Sequence, residues 1–149
     1  IERQRLLASA AAHCNLKVYT LDKNAVIPNA ANMGAVDYYS EMPYVFANSK
    51  INLNISLRSI QSGIPLRAMD IMGAGGFLLS NFQEDFLDCF IPDEDFVYYE
   101  SEDDLNNKID YYLSHEKERK EIALNGHKKV AQNHSFEKFF NHIFDIVFQ

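Results

Sequence analysis

The chain has 149 residues, 47% of them hydrophobic and 23% charged, with a formal net charge of -7 and an isoelectric point near 5.1. That length favours one domain with a core large enough to fold alone. The acidic balance argues against a nucleic-acid surface, which needs a basic face to replace counterions, but leaves room for a small anion in a locally positive pocket.

No apolar run approaches the roughly 20 residues that span a bilayer, and no signal peptide is visible. The two cysteines, Cys14 and Cys89, stand far apart in no metal-type spacing. They fit a reduced cytoplasmic protein, with a single disulfide as the alternative. The histidines are scattered, so no metal site is expected.

The chain opens directly in a helical pattern, with Ala- and Leu-rich residues 2 to 13. No strand precedes that helix, so a first strand is expected to be missing and the chain to be a piece of a longer, two-domain protein. Leu16 to Leu21 predicts a strand. Asp22 to Val36 predicts a long loop, and Asp22 reads either as a strand-end acid or as a turn residue.

Ser40 is placed to cap a short helix from Glu41, with Pro43 in its first turn. Ile51, Leu53, Ile55 and Leu57 alternate with Asn52, Asn54 and Ser56, the period of a strand. A loop, Arg58 to Gly63, then feeds a helix with Pro65 at its start. That helix reads as apolar almost all round, and Gly75 and Gly76 close it.

Phe77 to Ser80 predicts a buried strand, Glu84 to Phe90 a short helix, and Phe96 to Tyr99 another strand. Ser101 is placed to cap a helix whose first turn is acidic, where the macrodipole favours negative charge. Glu116 to about His134 predicts a charged helix, bent or broken near Gly126. Phe136, Phe139, Phe140, Ile143, Phe144 and Val147 form a terminal apolar stripe.

Strands alternating with helices imply an α/β fold, a Rossmann-like three-layer α/β/α arrangement with a parallel sheet covered on both faces. In such sheets ligands sit outside the carboxyl ends of the strands. The best-placed residues there are Arg58, Ser59, Ser62 and Gly63, at a helix start whose free N–H groups suit a phosphate.

Arg67 and Asp70 are the charged residues of the helix and lie on one edge. A cation in a helix's first turn opposes the macrodipole, so either an anionic ligand or a salt bridge, to Asp70 or another acid, offsets it. Asp70 could accept hydrogen bonds from ribose hydroxyls. Tyr38, Tyr39 and Tyr44 read either as packing residues or as a face for a base. No Gly-x-Gly-x-x-Gly or P-loop pattern is present. A phosphorylatable strand-end aspartate, as in a receiver domain, is also lacking, since Asn54 and Asn81 stand at those ends.

Ser49-Lys50-Ile51-Asn52-Leu53-Asn54, Gly63-Ile64-Pro65-Leu66-Arg67-Ala68-Met69-Asp70 and Gly75-Gly76-Phe77-Leu78-Leu79 resemble the C-terminal domain of GT-B glycosyltransferases. More narrowly, the chain resembles the CgeB-like spore-maturation group. The likeness continues through Phe96-Val97-Tyr98-Tyr99, Asp104-Leu105, Tyr111-Tyr112-Leu113 and Arg119 to Gly126.

The resemblance implies the donor-binding half of a GT-B fold, holding a nucleoside diphosphate sugar for transfer to an acceptor it does not name. Arg67 would then lie near the diphosphate and Asp70 at the donor ribose, with no metal or other cofactor required. Ser62 stands where the family's Glu-x7-Glu pattern has its first acid, and the resemblance assigns no catalytic residue. The isolated domain is therefore expected to be inactive, and a non-catalytic ligand- or protein-binding module is the alternative. Phe140 and Phe144 are expected to meet an N-terminal GT-B domain or a second copy.

Overall fold

A computed structural model describes residues 2–56, 63–133, 138 and 141. Its elements run α1 (Glu2–His13), β1 (Lys17–Tyr19), β2 (Ala31–Gly34), α2 (Met42–Asn48), β3 (Asn52–Asn54), α3 (Leu66–Gly73), β4 (Leu78–Asn81), a 3₁₀ turn (Glu84–Asp88), β5 (Val97–Tyr99), α4 (Glu102–Ser114) and α5 (Glu116–Asn133). The expected terminal phenylalanine helix lies outside the described residues.

All strand pairs are parallel, in the order β3-β4-β5 and, separately, β1-β2. β2 lies inside the stretch expected to be loop. Its residues, Ala-Asn-Met-Gly, have little strand preference and remain largely exposed. Only backbone pairing with β1 makes it a strand, including the Ala31 N–H to Leu16 carbonyl bond of 2.9 Å.

The central sheet is covered on both faces, as the alternation of side chains requires. Leu79, Val97 and Tyr99 face α1 and α4, in a core with Leu6, Ala10, Leu105 and Ile109. Leu78 and Phe96 face the other way, into a core with Phe46, Ala68, Ile71, Met72, Phe86 and Phe90. Phe86 and Phe96 stack there with ring centroids 4.8 Å apart.

Polar contacts fasten α1 to α4. They are Arg5–Glu102 at 3.0 Å, His13–Asp110 at 2.9 Å and Asn106–Ser9 at 2.8 Å. Ser101 caps α4 as expected, accepting the Asp104 N–H at 3.1 Å. Among the described residues β1 pairs only with β2, and β3 only with β4. Asn52 sends its N–H to Phe77 on the β4 side at 2.9 Å, so Leu53 and Ile55 turn their backbone groups to the open edge. Arg3 Nη2 donates to the Ile55 carbonyl, at 2.7 Å.

Two local expectations are corrected. Ser40 does not cap α2; Asp37 organises that entrance. Its Oδ1 accepts from the Tyr39 and Ser40 N–H groups and the Ser40 hydroxyl, while Glu41 reaches back to the Asp37 N–H at 2.7 Å. Gly126 does not break α5, which is continuous from Glu116 to Asn133. It lets the helix lie against the Asp95 carbonyl, which a Cβ would approach to 2.4 Å. The short helix expected after β4 is present as the 3₁₀ turn Glu84–Asp88, with the Phe86 ring fully buried.

Candidate functional site

The strand ends carry a polar network, buried at Asn54 and Ser80 and half-buried at Ser56, Asn81 and Gln83. Asn54 Nδ2 donates to Ser80 Oγ at 3.0 Å and to Ser56 Oγ at 3.2 Å. The Ser56 N–H donates to Asn81 Oδ1 at 2.7 Å, and the Ser56 hydroxyl to Gln83 Oε1 at 3.1 Å. Most buried polar groups are hydrogen-bonded, and this network ties the root of the loop after β3 to the ends of β4. Among the described residues Gln83 Nε2 is buried and finds no acceptor beside that root.

Arg58, Ser59 and Ser62 lie outside the described residues. Gly63, Arg67 and Asp70 sit together at the exposed start of α3. Gly63 has φ +94°, a left-handed backbone that glycine adopts without strain. Its N–H donates to the Asp85 carboxylate. One backbone donor expected to be open to a phosphate is thus already met by an acid from the 3₁₀ turn.

Pro65 is the N-cap of α3, and its side chain offers no cap to that end. Ala68 and Met69 send their N–H groups back to the Pro65 carbonyl, at 2.9 and 3.4 Å. The N–H groups of Leu66 and Arg67 find no acceptor among the described residues, the usual condition of an uncapped helix start. Arg67 itself is exposed and forms no hydrogen bond or ion pair there, so the expected alternative of a salt bridge to Asp70 is not formed.

The helix is also less enclosed than its composition implies. Ala68, Ile71 and Met72 are buried, but Leu66 is 81% exposed. Its far end closes as expected: Gly75 N–H bonds the Met72 carbonyl and Gly76 N–H the Ile71 carbonyl, both at 2.9 Å, with Gly75 at φ +81°.

Asp70 is met instead by Tyr38, whose hydroxyl donates to Oδ2. That bond to a carboxylate is the main reason the Tyr38 phenol is pushed up to about 12, with burial adding to it. Tyr39 packs edge-on against Tyr38 at 5.8 Å and is 89% exposed; Tyr44 is 72% exposed. These rings are therefore not core residues. Asp22 takes the turn role, accepting the Asn24 N–H at 2.9 Å.

A shallow concavity of about 410 Å³ between Ser114 and Glu121 lies where α4 meets α5, at the other end of the sheet. Among the described residues no cluster of three or more His, Cys, Asp or Glu side chains is arranged to hold a metal, and both cysteines are free.

The family described as Glycosyl transferase-like matches residues 3–145, nearly the whole chain. The chain belongs to that glycosyl transferase-like family. Its fold is that of the C-terminal domain of a GT-B glycosyltransferase. The glycosyl transferase-like domain is similar to the C-terminal domain of a glycosyl transferase group 1 family protein (LpcC) from Francisella tularensis, with a TM-score of 0.61 and 17% identity over 90% of this chain and 80% of that one. No curated protein matches it. Among the described residues of this glycosyl transferase-like domain, no helix is long and apolar enough to cross a membrane.

The sequence singles out Gly63, Arg67 and Asp70 as candidates, but not Asp85 and Tyr38 as the partners of Gly63 and Asp70. Neither carried a signal, because each reaches the helix from a distant part of the chain. The Asn54–Ser80 network did leave one: two asparagines in the alternating pattern of a strand that a covered parallel sheet must bury.

Proposed function

We propose that this domain holds the nucleoside diphosphate sugar donor of a glycosyltransferase of the CgeB-like group. The observation that carries the reading is the exposed start of α3, where, among the described residues, two N–H groups find no acceptor and Arg67 beside them has no counter-ion. A diphosphate would satisfy all three and remove the conflict between Arg67 and the macrodipole. Asp70, one turn on, would accept hydrogen bonds from the ribose. Positive groups at that position would also stabilise the leaving diphosphate during transfer. No metal is needed for this neutralisation.

The whole enzyme, in this reading, adds an acceptor-binding half. The open edges of β1 and β3 would take one more parallel strand between them, completing the strand order of doubly wound sheets. The free cysteines suit a cytoplasmic setting.

Calorimetric titration with UDP, GDP and their sugars tests the donor site. Saturable binding of at least one is expected, weakened roughly 10- to 100-fold by Arg67→Ala, as loss of hydrogen bonds to a charged group implies. Absence of binding by all of them, or unchanged affinity in both Arg67→Ala and Asp70→Ala, rejects the site. Ser62, eight positions before Asp70, favours a second reading as a binding module without catalysis. Donor binding without any glycosyl transfer or donor hydrolysis by the complete protein would select it.

A further inference from the structure

An exposed aspartate on a helix surface ordinarily samples several rotamers, and ordering it on ligand binding costs free energy. Asp70 is exposed, yet its Oδ2 is held by the Tyr38 hydroxyl. No cation among the described residues pairs with it, although Arg67 stands three positions earlier. Its partner is therefore neutral, which fixes the carboxylate without neutralising it.

The tyrosine is itself held in place. It sits in a turn whose N–H groups at Tyr39 and Ser40 converge on Asp37 Oδ1, at 3.1 and 2.7 Å. The Glu41 and Met42 N–H groups both bond the Asp37 carbonyl, at 3.1 and 2.9 Å. Tyr39 braces the ring edge-on. The order of construction is thus an Asp37-centred turn, then the Tyr38 ring, then the Asp70 carboxylate on α3.

An ionised carboxylate only accepts hydrogen bonds, through about four lone-pair sites on two oxygens. Tyr38 occupies one site on Oδ2, and among the described residues no donor reaches Oδ1. The Tyr38 oxygen, having donated its proton, retains lone pairs of its own. The result is a fixed pair of acceptors that rewards a ligand carrying adjacent hydroxyl donors and gives nothing to one lacking them.

We infer that Tyr38 is a positioning residue for Asp70 and that the pair selects ribonucleotide over 2′-deoxyribonucleotide donors. This rests on the donor-site reading above. Tyr38 stays protonated through the physiological range, as its raised ionisation requires, so it remains a donor to the carboxylate.

The test compares UDP and GDP with dUDP and dGDP, by calorimetry, on the wild-type chain, Tyr38→Phe and Asp70→Asn. The wild type is expected to prefer the ribonucleotide about tenfold, the worth of one hydrogen bond to a charged group. Tyr38→Phe should keep diphosphate binding but lower that preference to about twofold. Asp70→Asn should abolish it.

A purely structural Tyr38 would change thermal stability and leave the preference where it was. Equal preference in wild type and Tyr38→Phe overturns the inference while leaving the donor site standing, and so does a wild type with no preference at all. Failure of every nucleotide to bind the wild type overturns both. Matching amide spectra of the variants exclude misfolding, which is not expected at an exposed side chain.

Discussion

Replacing Gly126 by alanine sets two effects of known sign against each other. In an isolated helix the change would stabilise by about 1 kcal/mol, because alanine is the better helix former. Here the new Cβ would meet the Asp95 carbonyl oxygen at 2.4 Å and Met72 Sδ at 3.3 Å. Reaching ordinary contact with a carbonyl requires roughly 1 Å of movement between α5 and the segment leading into β5.

That segment has little freedom. Asp95 is 7% exposed, its Oδ2 accepts from the Ile91 N–H at 2.8 Å and from Lys129 at 2.6 Å, and Asn125 holds the neighbouring Glu94 carbonyl at 3.2 Å. Lys129 lies on α5 itself, so any separation stretches this partly buried pair. Overpacking of this kind costs about 1–3 kcal/mol, and a backbone obstacle belongs at the upper end. The net expectation is a loss of about 2 kcal/mol, or roughly 4–8 °C in melting temperature for a domain of this size. Calorimetric melting and urea unfolding with an unchanged slope would measure it. A variant as stable as the parent, or more stable, would refute the claim that Gly126 is a contact glycine.

Other consequences are equally direct. Ser101→Ala removes the side-chain cap of α4 and should cost about 1 kcal/mol, read as a fall of roughly 2–4 °C in thermal unfolding. The Tyr38 phenol should ionise near 12 in the parent and return toward 10 in Asp70→Asn, followed by NMR of labelled tyrosine rings. Because its folded value is the raised one, the contact's contribution to stability is complete below about pH 10 and is lost as pH rises toward about 12. Asp85→Asn keeps an acceptor for the Gly63 N–H but removes a negative charge, and should tighten diphosphate binding roughly threefold at low salt, with less effect at high salt.

Much of the architecture is written in local patterns. The serine at the start of α4, the double glycine after α3 and the alternation around β3 each state a backbone conformation that few other residue choices would fit. What was hidden depended on distant partners. Ala31 to Gly34 looks like loop because nothing in it prefers a strand; β1 makes it one.

Gly126 reads as a helix breaker because its reason for being there is a carbonyl far away in sequence. The burial of the β3 asparagines follows from a covered parallel sheet, but the acceptors that meet them, on Phe46, Phe77, Ser56 and Ser80, come from elsewhere in the chain and leave no local mark. The same division holds for the candidate site. Arg67 and Asp70 share an edge by helical spacing alone, but the hydroxyl on Asp70 and the carboxylate on Gly63 arrive from outside the helix. The composition of α3 likewise hid how much of it faces solvent, since exposed Leu66 looks the same in sequence as buried Ile71.

The central claim is that the start of α3 binds a nucleoside diphosphate. The most direct measurement is an amide NMR titration of the chain with UDP, GDP and ADP, each with and without its sugar. Saturable shifts confined to Gly63 through Asp70, with Tyr38 and its turn responding in step, are the predicted result. Shifts centred elsewhere, such as between Ser114 and Glu121, or no shifts with any nucleotide, would contradict it.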